Sequence, residues 1–260
     1  MPETRHAMSS PLQNGLLFNS LSLSEPGVDV IQVICQLPEG IKPAPFLQSW
    51  QIISARYEVL RTAFHWEETA RPRQEMYAEI SVPFRVEDWS GSPAGECEAR
   101  LECFLREDRQ QAFAVWTPPL WRVALFLLSA EASRCVFTFH HAILDGRSLP
   151  TVLGDVFACY RALLDGTPEA PERPPAPSVQ AEAAPWWQPG NQEADELFWR
   201  QTLAGFDTPL TLPEEERNIV EANPLSAGAS HSEEDLALSS ELSQALRAFA
   251  TEHDLTLNAM

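Results

Sequence analysis

Two adjacent histidines, followed by an aspartate and a glycine, form the part of this 260-residue sequence that is best suited to chemistry. His140 and His141 end a predicted strand, and Asp145 and Gly146 lie in the loop that follows. Side chains that meet a ligand often lie where a strand leads into a loop. An imidazole that is partly removed from water there can stay neutral and accept a proton near pH 7. Asp145 can orient an imidazole or pair with an arginine to hold the loop, and Gly146 permits a tight turn with positive φ.

Structural and metal-binding roles compete with catalysis at these positions. A histidine pair at the end of a strand can be structural, and Asp-Gly is a common turn sequence. Both histidines and Asp145 are metal-ligand types, but adjacent strand residues point to opposite faces, so the two rings do not easily share one ion. His140 and Asp145 also fit the short HxxxxD pattern of glycerolipid acyltransferases. The sequence contains no GxSxG, Walker A, HExxH or GxGxxG motif. We therefore predict no metal site and no serine-type covalent intermediate.

Hydrophobic periodicity predicts the strands that position the histidines. In the strand at 134–141, Cys135, Phe137, Phe139 and His141 share one face, and His140 lies on the other. A nearly continuous apolar run at 120–128 is typical of a strand that is buried on both faces. Further strands are predicted at 30–37, 62–66 and 74–80.

Apolar residues spaced by three and four positions predict helices at 46–60, 97–112, 148–163, 193–203 and 239–253. We expect Ser148 and Ser239 to be N-caps, Asp165–Gly166 to end the third helix, and Leu242, Leu246 and Phe249 to face inward. Strands and helices alternate, so the predicted fold class is α/β, a sandwich of helices packed on a mixed sheet.

Composition excludes several classes of protein. The chain has 18 basic and 37 acidic residues and a net charge of −19, which argues against a surface for nucleic acid or an anionic membrane. No stretch approaches the ~20 apolar residues that span a bilayer, and the first residues lack the apolar core of a signal peptide. The five cysteines are widely spaced and form no CxxC motif, as in a reduced protein. We therefore predict a cytoplasmic location.

A proline-rich segment divides the sequence. Residues 1–166 contain the histidine pair, residues 167–190 form a Pro/Ala/Glu-rich linker or crossover, and residues 191–260 begin a second region. Thr256 resembles the N-cap of a helix that does not follow, so we expect the second region to be truncated.

The histidine motif and several others, in the same order along the chain, resemble the condensation domain of nonribosomal peptide synthetases, a member of the chloramphenicol-acetyltransferase-like superfamily. His140, His141, Asp145 and Gly146 match its HHxxxDG signature. Residues 56–64 resemble its RHExLRTxF motif, with Tyr57 in place of the histidine. The other matching segments are 10–18, 119–122, 198–205 and 255–258.

The resemblance implies a reaction and a role for each residue. Condensation domains form an amide bond between two thioesters that carrier proteins hold on 4'-phosphopantetheine, with no tightly bound cofactor. His141 corresponds to the catalytic histidine, and His140 to a packing residue. Asp145 is expected to fix the loop by pairing with Arg61 or Arg56, and Gly146 to lie near the acceptor.

The resemblance also implies two lobes, of which this sequence would supply the first and the opening of the second. Carrier proteins, adjacent synthetase domains or the remaining lobe would be its partners, and activity would require that lobe. Two alternatives stay open: a non-catalytic remnant or carrier-docking module, and a stand-alone O-acyltransferase of the same superfamily that uses acyl-CoA.

Overall fold

The structure is a computed structural model that describes residues 5–22, 27–66, 72–167, 192–206 and 236–259. The chain divides into two compact units, 1–195 and 196–260, and each is described by itself. All but the first residue of the predicted linker at 167–190 lies outside the described residues. The domain boundaries inferred from the sequence stay a prediction.

A four-stranded mixed sheet forms the centre of the first unit. Its strand order is β2 (Val30–Leu37), β7 (Ala132–His140), β6 (Trp121–Ser129) and β5 (Phe84–Asp88). β7 pairs antiparallel with β2 and β6, whereas β5 pairs parallel with β6. β6 has a neighbour on each side and is buried on both faces, as its continuous apolar sequence predicts.

Helices cover both faces of this sheet. On one face, α2 (Pro43–Arg56) and α4 (Ser148–Leu164) bury the larger core, in which the Trp50 and Phe137 rings lie 4.8 Å apart. On the other face, α3 (Ala94–Arg109) packs over a smaller core in which Trp89 stacks on Phe126 at 4.1 Å. The predicted α/β sandwich is confirmed. Each large side chain removed from water in these cores stabilises the fold by about 2–3 kcal/mol before entropy is counted.

A second, three-stranded antiparallel sheet has the order β1 (Arg5–Met8), β4 (Arg73–Met76), β3 (Thr62–His65). The sequence did not predict β1 or β5, because both are short and polar. β4 ends at Met76 instead of residue 80, since the next carbonyls, of Tyr77 and Ala78, accept hydrogen bonds from the Arg61 side chain. The helix α1 (Pro11–Ser22) lies between β1 and β2 in the chain and was not predicted either.

The second unit contains helix α6 (Ser240–Glu252) and a 3-10 turn at Leu257–Ala259. Helix α5 (Gln192–Thr202) crosses the division between the units. The Ser239 side chain accepts a hydrogen bond from Leu242 N at 3.2 Å, which confirms it as an N-cap. The prediction that Leu242 and Phe249 face inward is wrong: they are 47% and 49% exposed, because the described residues of this unit provide no layer that covers them. Among the helices in the described ranges, none has the length and apolarity needed to cross a membrane.

Candidate active site at the end of β7

The candidate site is a turn that begins where β7 leaves the sheet. The strand ends at His140, one residue earlier than the sequence predicted. The N–H of His140 donates to Leu120 O at 2.9 Å. The next N–H, of His141, donates to Asp29 O at 2.8 Å, and Ile143 N donates back to His140 O at 3.1 Å. These bonds close a turn that leads His141 out of the strand and on towards α4.

His141 is half-buried, and the contacts of its ring define which nitrogen is free. Its Nδ1 lies 3.0 Å from Leu144 O. A carbonyl oxygen only accepts hydrogen bonds, so Nδ1 carries the proton in the neutral ring. Nε2 then presents a lone pair and can accept a proton from a substrate. When Nε2 is protonated, the same carbonyl stabilises the charged ring, which suits a general base.

His140 is 2% exposed and has a different set of partners. Its Nδ1 accepts a hydrogen bond from Ala142 N at 3.0 Å, so its Nε2 carries the proton and donates to Ser20 Oγ at 2.9 Å. Burial lowers the pKa of His140 to about 4, a decrease that nearby His141 reinforces and Asp29 opposes. The ring is therefore neutral at pH 7, with both nitrogens engaged. Within the described ranges, no three His, Cys, Asp or Glu side chains are grouped so that they could hold a metal ion.

Asp145 organises the start of α4. Its Oδ1 accepts hydrogen bonds from Arg147 N at 3.1 Å, from Ser148 N at 2.7 Å and from Ser148 Oγ at 2.6 Å. These bonds lower the pKa of Asp145, and the hydrogen bond from the Ser148 hydroxyl is the largest cause. The backbone carbonyl of Asp145 also accepts from Leu149 N at 3.1 Å.

The prediction that Ser148 caps α4 is therefore wrong, because Ser148 is the first helical residue. Asp145 provides the capping oxygen instead, and its negative charge favours the positive end of the helix dipole.

The expected pairing of Asp145 with an arginine is also wrong for the residues that the structure describes. The Arg61 side chain donates to four carbonyls, of Ser54 (2.8 Å), Ala55 (3.0 Å), Tyr77 and Ala78 (3.0 Å). Two of these belong to the last turn of α2, where carbonyls lack helical partners and the fork of a guanidinium satisfies them.

The other candidate partner, Arg56, lies 3.9 Å from the buried carboxylate of Asp155 on α4. Both arginines therefore stabilise the end of α2, Arg61 through the α2 carbonyls and Arg56 through Asp155 of α4.

Gly146 does not adopt the positive φ that a glycine permits. The Asp145 carboxylate holds the turn through backbone N–H groups, so the chain enters α4 without a left-handed residue. A Cβ added at Gly146 would meet no atom of the described structure within 4 Å, its chain neighbours aside. The glycine therefore leaves open space beside the turn.

Three residues of α1 and of the loop before β2 contact the turn, and the sequence did not predict these contacts. Gln13 Nε2 donates to Ala142 O at 3.0 Å, and Ser20 Oγ contacts His140 as described above. Asp29, with φ 61°, presents the carbonyl that holds His141 N. Two signals in the sequence involve Gln13, its place in the matching segment 10–18 and the capping-box pattern Ser10-x-x-Gln13, but neither predicts a contact with Ala142.

Comparison with known proteins gives a consistent result. The family model described as "Condensation domain" matches residues 3–260. One of the linear gramicidin synthase subunits of Brevibacillus parabrevis is 34% identical over 252 residues, which are 96% of this chain and 3% of that protein.

Two solved structures share the fold. The first condensation domain of the calcium-dependent antibiotic synthetase, in complex with substrate analogue 2a, has a TM-score of 0.62 at 20% identity and covers 97% of this chain and 57% of its own. A variant of the starter condensation domain of rhizomide synthetase, in complex with C8-CoA and Leu-SNAC, has a TM-score of 0.63 at 19% identity and covers 80% of this chain and 47% of its own.

The chain thus spans about half of these solved chains and a small share of the gramicidin relative. The fold inferred from the resemblance is confirmed. With a family match that runs from residue 3 to residue 260 and a histidine turn placed between a mixed sheet and α4, this chain belongs to the condensation domain family.

Proposed function

We propose that this chain is part of an enzyme that forms amide bonds in nonribosomal peptide synthesis. The donor and acceptor would be thioesters on the 4'-phosphopantetheine arms of carrier proteins, without a tightly bound cofactor, in the cytoplasm. The observation that carries the proposal is the state of His141. Its Nδ1 is occupied by Leu144 O, which leaves Nε2 as a proton acceptor on a turn held by the sheet and by α1.

In the proposed reaction one proton passes from the acceptor amine, by way of His141, to the leaving sulfur. The acceptor amine attacks the carbonyl carbon of the donor thioester, so that a C–N bond forms and the C–S bond breaks. His141 Nε2 takes the proton that the amine loses, and the departing thiolate takes up a proton to leave as a thiol. His141 can act as this base or can hold the amine and the tetrahedral intermediate in place. In either case, two tethered substrates gain much of their rate from positioning.

The other predicted site residues support this chemistry in different ways. Asp145 defines the first turn of α4 and thereby the end of the His141 loop. Gly146 leaves room beside that loop for an approaching substrate. Three residues support the site by stabilising the fold, because their polar groups contact other protein atoms: His140, Arg61 and Arg56. We retain the proposed division into a first lobe at 1–166 and the start of a second lobe at 191–260.

The test is His141→Ala in the full natural polypeptide, with its carrier domains loaded with donor and acceptor. Loss of a general base lowers rates by about 10²–10⁴-fold, and we expect a loss of that size in amide product measured by mass spectrometry. The matched control is His253→Ala, which removes an exposed histidine from the end of α6 and should leave the rate unchanged. Full activity of the His141 variant would contradict the proposal.

A CoA-dependent acyltransferase is the second candidate, because the structure of the rhizomide relative holds C8-CoA. His141 could deprotonate a hydroxyl as well as an amine. Turnover of soluble acyl-CoA without any carrier protein would favour this candidate. Binding of carriers without turnover, with every substrate supplied, would instead indicate a non-catalytic module.

A further inference from the structure

Helix α1 contacts the turn that carries His141 at two points, and the proposed reaction does not account for these contacts. We propose that α1 is the positioning element for His141, with Gln13 as the positioning residue that acts on the turn. This inference rests on the proposed function of His141. Gln13, Leu17 and Ser20 occur at i, i+4 and i+7 and so share one face of α1. Leu17, between the two polar contacts, is fully buried in the main core.

The side-chain amide of Gln13 is oriented by its neighbours. Its Oε1 accepts hydrogen bonds from Ser10 N at 2.9 Å and from Gln74 Nε2 at 3.1 Å. Gln74 is itself buried and donates to Met8 O at 3.1 Å, which holds its own amide in place. The amide nitrogen of Gln13 donates to Ala142 O, on the turn, at 3.0 Å and to Gln74 Oε1 at 3.4 Å.

The bonds on either side of His141 leave its backbone little freedom. Asp29 O holds His141 N, His140 Nδ1 holds Ala142 N, and Gln13 Nε2 holds Ala142 O. Ser20, two helical turns after Gln13, contacts the same turn from the other end of α1. Its hydroxyl lies 2.9 Å from both His140 Nε2 and Asp29 Oδ2. Removing the Gln13 bond would release the carbonyl of the Ala142–Ile143 peptide, one residue after His141, so that the turn could shift and move the imidazole relative to a bound amine.

Gln13 has two roles that one substitution can separate. It closes a capping box with Ser10, since Gln13 N donates to Ser10 Oγ at 3.2 Å, and it also holds the turn. In Gln13→Glu, a carboxylate can still accept from Ser10 N and Gln74, and Glu is an established residue at this position of a capping box. It cannot donate to Ala142 O or to Gln74 Oε1, and its charge repels the Ala142 carbonyl; the longer bond to Gln74 is replaced by the one that Gln74 Nε2 donates.

The experiment compares variants of the full natural polypeptide with loaded carrier domains. We expect Gln13→Glu to keep the thermal midpoint of unfolding and to lower the single-turnover rate of amide formation by about 10- to 100-fold, the size of effect that slight misplacement of a reacting group produces. The apparent affinity for a carrier supplied in trans should change little. Ser10→Ala is the matched control: it weakens the cap but leaves the Gln13 donor, so it should lower the thermal midpoint and preserve the rate.

A second measurement separates positioning from general loss of structure. Because Gln13 acts through His141, Gln13→Glu should have little further effect on the residual rate of His141→Ala, so the two effects should be non-additive. Gln13→Met, which is neutral and lacks the donor, should lower the rate as Gln13→Glu does and covers the case in which the charged variant fails to fold. A wild-type rate in a folded Gln13 variant, or additive effects, would overturn the inference while leaving the proposed function intact. Full activity of His141→Ala would instead overturn the proposed function and this inference with it.

Discussion

The buried state of His140 predicts how this part of the fold responds to pH. Burial lowers the pKa of His140 to about 4 from an ordinary value of 6.5. Between these values the unfolded chain binds a proton at this position and the folded chain does not. The free energy of unfolding should therefore be fully retained above pH ~6.5 and should decrease as the pH falls towards 4. A difference of about 2.5 between these pKa values corresponds to about 3 kcal/mol, and about half of it should be lost between pH 6.5 and 5.

The assay is hydrogen–deuterium exchange of peptides from β2 and β7 in the natural polypeptide, because local opening reports on this region even where a multidomain protein does not unfold in one step. The perturbation is His140→Asn, since the Asn side-chain oxygen can accept from Ala142 N as His140 Nδ1 does. Comparing the two proteins at each pH cancels the intrinsic dependence of exchange on pH.

We expect protection of these strands to fall more steeply in the wild type than in the variant as the pH is lowered. His253→Asn, at an exposed position, should follow the wild type. The same pH dependence in the wild type and His140→Asn would refute the reasoning that His140 is a buried neutral imidazole.

Two further predictions concern the loop after His141. Gly146→Ala should leave the thermal midpoint of unfolding unchanged, because the φ of Gly146 is not left-handed and the space beside it is open. The added methyl group occupies the space proposed for the substrate, so the variant should form amide more slowly. A lowered midpoint would contradict the first expectation. Asp145→Ala should cost about 1 kcal/mol in thermal or denaturant unfolding, the usual loss for a helix cap, whereas Asp145→Asn keeps an acceptor oxygen and should cost less. Equal losses in the two variants would mean that the charge of Asp145, and not its hydrogen bonds, stabilises the start of α4.

Features that depend on residues close together in the chain were determined by the sequence. The alternation at 30–37 predicted β2 with the bounds that the structure shows. The continuous apolar run at 120–128 predicted a central strand, and Ser239 predicted the start of α6. The HHxxxDG motif and its companions identified the family. In each case a local period or a short motif carries the information, because side-chain direction in strands and helices repeats over a few residues.

Only the tertiary structure decided which distant groups meet. Asp145 was expected to bind Arg61 or Arg56, but backbone N–H groups two and three residues away satisfy it, and the arginines are used at the end of α2. Gln13 reaches Ala142 across 129 positions of sequence, and Ser20 reaches His140 across 120. A hydrogen bond forms within about 3 Å in space, whatever the separation along the chain. The sequence therefore determined the types of the chemical groups and their positions along the chain. The tertiary structure determined that both nitrogens of His140 are engaged, by Ala142 N and Ser20, whereas His141 keeps Nε2 free.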